Sequence, residues 1–136
     1  MTDLDFLADD GLVDALLMEI QSLLRRLVEH GEEGAIDLRG LPLSPACIAA
    51  LERQLGKGEV DVTLGIAGYT KIRETSFPGV WWTKHSDMQG DTVALLIEIA
   101  TVPQILRADI EDIERGLERL PLSTNIAIHA RKGVNP

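Results

Sequence analysis

The sequence predicts an α+β domain: an antiparallel β-meander of four to five strands with helices packed on it, led by a long amphipathic helix. Three observations predict it. Apolar residues recur at steps of three and four from about Asp9 to His30, which is helical spacing. Four strand-forming runs then follow between residues 60 and 100 with short turn-forming gaps, which calls for antiparallel pairing. Both tryptophans stand side by side in Gly79-Val80-Trp81-Trp82-Thr83-Lys84, within a chain that is only 4% aromatic. Successive strand side chains point to opposite faces, so Trp81 and Trp82 look to opposite sides of the sheet. One fills the core. The other needs a second cover: a helix, a subunit or a partner.

At 136 residues the chain suits one domain, able to bury a normal core without metal or disulfide staples. Residues 1–33 form its acidic N-terminal helix and residues 121–136 its tail. The net charge of −9 argues against a nucleic-acid surface, which needs a basic patch. The charge is uneven. Asp3, Asp5, Asp9, Asp10, Asp14, Glu19, Glu29, Glu32 and Glu33 face only Arg25 and Arg26, so residues 1–33 carry −7 of the −9. A partner steered by this field would approach with a basic face; acids that merely solubilise an exposed helix give the same pattern. With the single cysteine, Cys47, no intrachain disulfide forms. The first residues lack the basic segment and apolar run of a signal peptide, and no run suits a membrane span, so a cytoplasmic location is expected.

Taken in order, residues 1–8 read as frayed. The helix from Asp9 carries Leu12, Val13, Leu16, Leu17, Ile20, Leu23, Leu24, Leu27 and Val28, with Asp9 and Asp10 at its positive end and Gly31 at its stop. The stripe is broad for one buried side, which predicts packing on the sheet and, as a hypothesis, a homodimer through this helix. Ala35–Arg39 reads as a short strand with Ile36 and Leu38 on one face. Ser44-Pro45 opens a second helix, Ser as cap and Pro at the first helical position, with Ile48, Leu51 and Leu55 inward and Gly56-Lys57-Gly58 at its end. Strands follow at Val60–Leu64, Tyr69–Thr75, Val80–His85 and Thr92–Ala100, parted by Gly65 and Gly68, Pro78-Gly79 and Gln89-Gly90. The last is apolar on both faces, which predicts a central position. Beyond Pro103 a third helical region has its inner side at Ile105, Leu106, Ile110, Ile113 and Leu117, and Asn125–His129 is a candidate edge strand.

No motif for a reaction emerges. Cys47 lies near a helix N-terminus, where a thiol can be activated, but free cysteine is among the most buried residue types and reads here as a core side chain. His30, His85 and His129 have no metal-ligand spacing, and no cofactor is expected. Gly56-Lys57-Gly58 follows a helix, whereas phosphate loops precede one. Ser44, Ser76, Ser86 and Ser123 sit in caps or turns without a nucleophile-elbow context. Glu98 interrupts the most apolar strand, and a buried carboxylate needs a partner. Arg73 and Lys71 on one face of the meander are the candidates. Two versions stand: a polar site floored by Trp81 or Trp82 with Glu98 and Arg73 converging on it, or one satisfied salt bridge in a sheet.

Several segments then occur together: Leu41-Pro42-Leu43-Ser44-Pro45, Leu55-Gly56-Lys57-Gly58-Glu59-Val60, Ile72-Arg73-Glu74-Thr75, Gly79-Val80-Trp81-Trp82, Glu98-Ile99 and Val102-Pro103. In this order they resemble the C-terminal conserved region of hydrogenase expression/formation proteins of the HupH/HyaF type, over roughly residues 36–120. The chain is shorter than typical members, with one acidic helix where they have a longer N-terminal portion. The resemblance implies a non-enzymatic, chaperone-like accessory role in maturation of uptake nickel–iron hydrogenases, with the small iron–sulfur subunit or other maturation proteins as partners. It supplies no catalytic residues. Aromatics and Arg dominate binding energy at interfaces, so Trp81 or Trp82, Tyr69 and Arg73 are the expected partner contacts. The alternatives are a small-ligand or catalytic domain using Glu98, Arg73 and His85, and a structural homodimer that buries both tryptophans.

Overall fold

The computed structural model describes the backbone of residues 3–65 and 67–121, with side chains from residue 11 onward. It divides into two compact units, Met1–Pro103 and Gln104–Pro136. The first unit holds α1 (Asp3–His30), β1 (Gly34–Asp37), a 3₁₀ turn (Leu38–Gly40), α2 (Pro45–Leu55), β2 (Asp61–Leu64), β3 (Tyr69–Glu74), β4 (Val80–Ser86) and β5 (Thr92–Ile99). The strands form one antiparallel sheet in the order β1-β5-β4-β3-β2. The predicted α+β meander with a long N-terminal helix is therefore the fold. β5 is an interior strand, as its two apolar faces require.

Local chemistry accounts for the boundaries. The Ser44 hydroxyl accepts the Cys47 N–H at 3.0 Å, and Pro45 takes the first helical position of α2. Gly56 caps the other end at φ 68°, a conformation that favours glycine. Ser76 then anchors that end to the β3–β4 turn: its N–H and its hydroxyl both donate to the Leu55 carbonyl, at 2.9 and 2.6 Å. The Asp87 carboxylate accepts the Gln89 and Asp91 N–H groups at 2.9 and 3.0 Å and closes the β4–β5 turn, with Gly90 at φ 90°. Gly68, at φ 113°, lies so close to the Ser86 carbonyl oxygen that any side chain would collide with it.

The core lies between the helices and one face of the sheet. Val13, Leu16 and Ile20 of α1 and Cys47, Leu51 and Leu55 of α2 pack with Ile36, Leu38, Val80, Trp82, Leu95, Ile97 and Ile99. Cys47 is a buried core side chain. On the opposite face Ile72, Trp81, Thr70 and Thr83 are buried too.

Four readings change. α1 begins at Asp3 rather than near Asp9, because Asp3 and Asp5 suit the positive end of a helix as well as Asp9 and Asp10 do. The first strand ends at Asp37: the Asp37 carboxylate accepts the Arg39 N–H at 3.0 Å and turns the chain into the 3₁₀ segment, where Leu38 stays buried. In α2 the buried inner positions are Cys47, Leu51 and Leu55, with Ile48 only half-buried. In the second unit, α3 (Ile110–Arg119) is strongly amphipathic, yet Ile110, Ile113 and Leu117 are exposed where the spacing predicted an inner side. Periodicity identifies a stripe and not what meets it. The candidate strand at Asn125–His129 and the tail lie outside the described residues.

Leu51 is fully buried between α2 and the sheet. Leu51→Ala is expected to cost about 2–5 kcal/mol in urea unfolding, whereas Val28→Ala, at a position 83% exposed, should change stability by no more than about 0.5 kcal/mol.

Candidate functional site

The helices cover only part of their side of the sheet. No buried member of that core comes from β2 or β3. Beside α2 two adjoining clefts open, one of about 360 Å³ over β4 and β5 and one of about 270 Å³ that reaches the uncovered β2 and β3. Trp82 floors both, and Glu52 and Lys84 line both. Arg39, Ile48, Thr92 and Leu95 complete the larger; Lys57, Asp61, Lys71 and Arg73 complete the smaller.

The register explains why these side chains meet. Trp82 pairs with Ile97 on one side and Arg73 on the other, and Arg73 pairs with Asp61. One row later Leu95 pairs with Lys84, and Lys84 with Lys71. Both rows run from apolar core to charged surface on a single face. Arg73 is fixed by α2: its Nη2 donates to Glu52 Oε2 at 2.5 Å and its Nη1 to the Gly56 carbonyl at 3.2 Å. Arg39 Nη1 donates to the Thr92 carbonyl. Among the described residues Lys57, Lys71 and Lys84 have no carboxylate partner. Arg39, Lys57, Lys71, Arg73 and Lys84 thus stand against Glu52 and Asp61, a positive site on a chain of net charge −9. Anionic groups are what such a surface attracts.

The structure sorts the sequence-predicted residues onto two faces. Trp82, Arg73 and Lys71 line the cleft. Tyr69, 61% exposed, lies on the same face of β3, one pleat beyond Lys71. Trp81 and Glu98 pair with each other, one residue out of step with the Arg73–Trp82 row, so they occupy the opposite face. Arg73 and Lys71 therefore do not converge with Glu98, and the polar site imagined around Glu98 and Arg73 is not formed. Alternation alone left the inter-strand register open, and register decides which faces coincide. Neither indole is exposed: Trp81 and Trp82 are 6% and 5% accessible within the single chain, and Trp81 Nε1 donates to the Ala100 carbonyl at 2.9 Å.

Glu98's own face carries other polar groups. The His85 Nδ1 and Thr70 Oγ1 atoms are 2.6 Å apart, and the buried Thr83 hydroxyl has no partner among the described residues. Burial, and secondarily the nearby Glu33 carboxylate, raise the Glu98 pKa above its ordinary value. Among the described residues no three His, Cys, Asp or Glu side chains gather as a metal site. Sequence reasoning missed Lys57, taken only as part of a helix stop, and Lys84, Glu52 and Arg39. Lys84 had a signal, since it follows Trp82 by two residues on the same strand face.

Residues 13–126 match the family described as HupH hydrogenase expression protein, C-terminal conserved region. The chain belongs to that family. Among its relatives, the hydrogenase expression/formation protein HoxQ of Azotobacter vinelandii is 30% identical over 115 residues, which are 82% of this chain and 41% of the relative. HoxQ of Cupriavidus necator is 29% identical over 113 residues, 82% of this chain and 40% of that one. The chain thus spans about two-fifths of the length of these curated relatives. The solved structure of the hydrogenase expression protein HupH from Thiobacillus denitrificans is 41% identical, with a TM-score of 0.78 over 81% of this chain and 92% of that chain.

Glu98, on the face opposite the cleft, makes the stability of the fold depend on pH. Its raised pKa means that the folded chain holds this proton more tightly than the unfolded chain does. Stability from this group is complete below the unfolded value and falls as pH rises through the folded one. Glu98→Gln should therefore melt at a higher temperature than the parent at neutral pH, with the gap closing in acid; thermal unfolding followed by circular dichroism across that range measures it.

Proposed function

We propose that the chain is an accessory domain in maturation of an uptake nickel–iron hydrogenase, binding the small iron–sulfur subunit precursor or another maturation protein without catalysing a reaction. One observation carries this reading: the family match runs through residues 13–126, and the relatives are named as hydrogenase expression/formation proteins. The cleft supports a binding role. It is an open surface beside exposed Tyr69, with Trp82, Arg73 and Lys71 assembled around it, rather than an enclosed chamber with acid and base in register. Aromatic and Arg side chains are the usual anchors of such surfaces. The rival reading, a catalytic site shared by Glu98, Arg73 and His85, needs one pocket joining them, and Arg73 stands on the other side of the sheet. Among the described residues no helix is long and apolar enough to cross a membrane.

An affinity-tagged copy expressed in cells making the hydrogenase is expected to recover the small-subunit precursor or a maturation protein. Recovery of neither, under both aerobic and microaerobic growth, overturns the proposal.

A further inference from the structure

We propose that the cleft binds an extended, carboxylate-rich peptide segment of a partner protein, with Lys57, Lys71 and Lys84 as its charge contacts. This deepens the docking role and rests on it, but not on which client docks.

The first argument is the pair Lys71 and Lys84. They stand directly opposite one another on β3 and β4. Like charges so placed repel and destabilise a sheet. No carboxylate among the described residues relieves them, although the chain has 22 acids against 13 Lys and Arg. Glu52, the acid that lines both clefts, is already engaged by Arg73, and Asp61, which lines the smaller one, forms no ion pair with Lys57 or Lys71. A bound anion removes the repulsion, so the cost in the free protein becomes binding free energy in the complex.

The second argument is shape. Two adjoining lobes share one floor, with Lys57 and Lys71 in one and Lys84 bridging to the other. The three lysines are exposed, so a single small anion would remain largely hydrated beside them. A chain that places successive carboxylates along both lobes engages all three at once. Trp82, Leu95 and half-buried Ile48 give it an apolar floor as well. The third argument is net charge. At −9 the molecule repels a long polyanion such as nucleic acid, whereas a short acidic segment feels mainly charges within about 8 Å at physiological salt.

Fluorescein-labelled hexaglutamate titrated with the full chain tests this by anisotropy. Saturable, salt-sensitive binding is expected. Lys71→Glu with Lys84→Glu should weaken it about tenfold or more, while Arg25→Glu with Arg26→Glu, an equal charge change on α1, should leave it nearly intact. Unliganded Lys71→Gln with Lys84→Gln should melt at or above the parent temperature, because the repulsion is gone. No saturable binding, equal loss in both charge-reversed variants, or a lower melting temperature for the glutamine variant overturns the proposal. So does tighter binding of inorganic phosphate or oligothymidylate. Sedimentation in which the Lys71→Glu, Lys84→Glu variant splits a dimer also overturns it, by assigning the cleft to a second copy. Hexaglutamate binding without capture of either the small-subunit precursor or a maturation protein would leave the cleft assignment standing and remove the hydrogenase reading; capture without hexaglutamate binding would do the reverse.

Discussion

One row of cross-strand pairs governs this molecule: Ile36 with Ile97, Ile97 with Trp82, Trp82 with Arg73, and Arg73 with Asp61. It crosses the whole sheet on one face. Its first half is aliphatic and aromatic, and its second half is charged. The helices must cover the first half, because burying Ile36, Ile97 and Trp82 is what drives them onto the sheet. They gain nothing from covering the second half, and α2 stops above the boundary. Slipping β4 by one residue would send Trp82 to the other face and break the row.

The cleft is a consequence of that boundary. Arg73 sits where the covered region ends, so its guanidinium can reach Glu52 and the Gly56 carbonyl of α2 while its neighbours Lys71 and Lys84 stay in solvent. Ser76 matters for the same reason: it ties the end of α2 to the β3–β4 turn through the Leu55 carbonyl. The most polar part of this face is therefore held by a fixed helix terminus rather than by a mobile loop. Binding surfaces placed against rigid elements lose little freedom when occupied.

Much of the fold was legible because its signals are local. Ser44-Pro45 marks a helix start by its capping hydroxyl and fixed ring, and Gly56 and Gly90 mark a helix end and a turn because a residue without a Cβ takes positive φ freely. The meander order followed from short connections. The candidate site was legible only in fragments. Trp82, Arg73, Lys71 and Tyr69 were singled out by residue type, and Trp82, Arg73 and Lys71 line the cleft beside an exposed Tyr69. Glu98 was singled out by its apolar surroundings, and its carboxyl does respond to burial, but it belongs to the other face. Lys84 and Lys57 were passed over because a lysine in a strand or after a helix is unremarkable until its neighbours are known. The apolar side of α3 misled in the same manner: spacing defines the stripe, while exposure depends on what else is near.

The sequence alone determined the element types, the antiparallel meander, the opposed directions of the two indoles and the family. Each depends on interactions within a few residues or on the order of segments. Only the tertiary structure decided the strand register, the burial of both tryptophans, the separation of Arg73 from Glu98 and the meeting of Lys71 with Lys84. Those are outcomes of pairing between distant stretches of chain, where a shift of one residue exchanges every side chain between faces. The information for that choice is shared between partner strands and is complete in neither one.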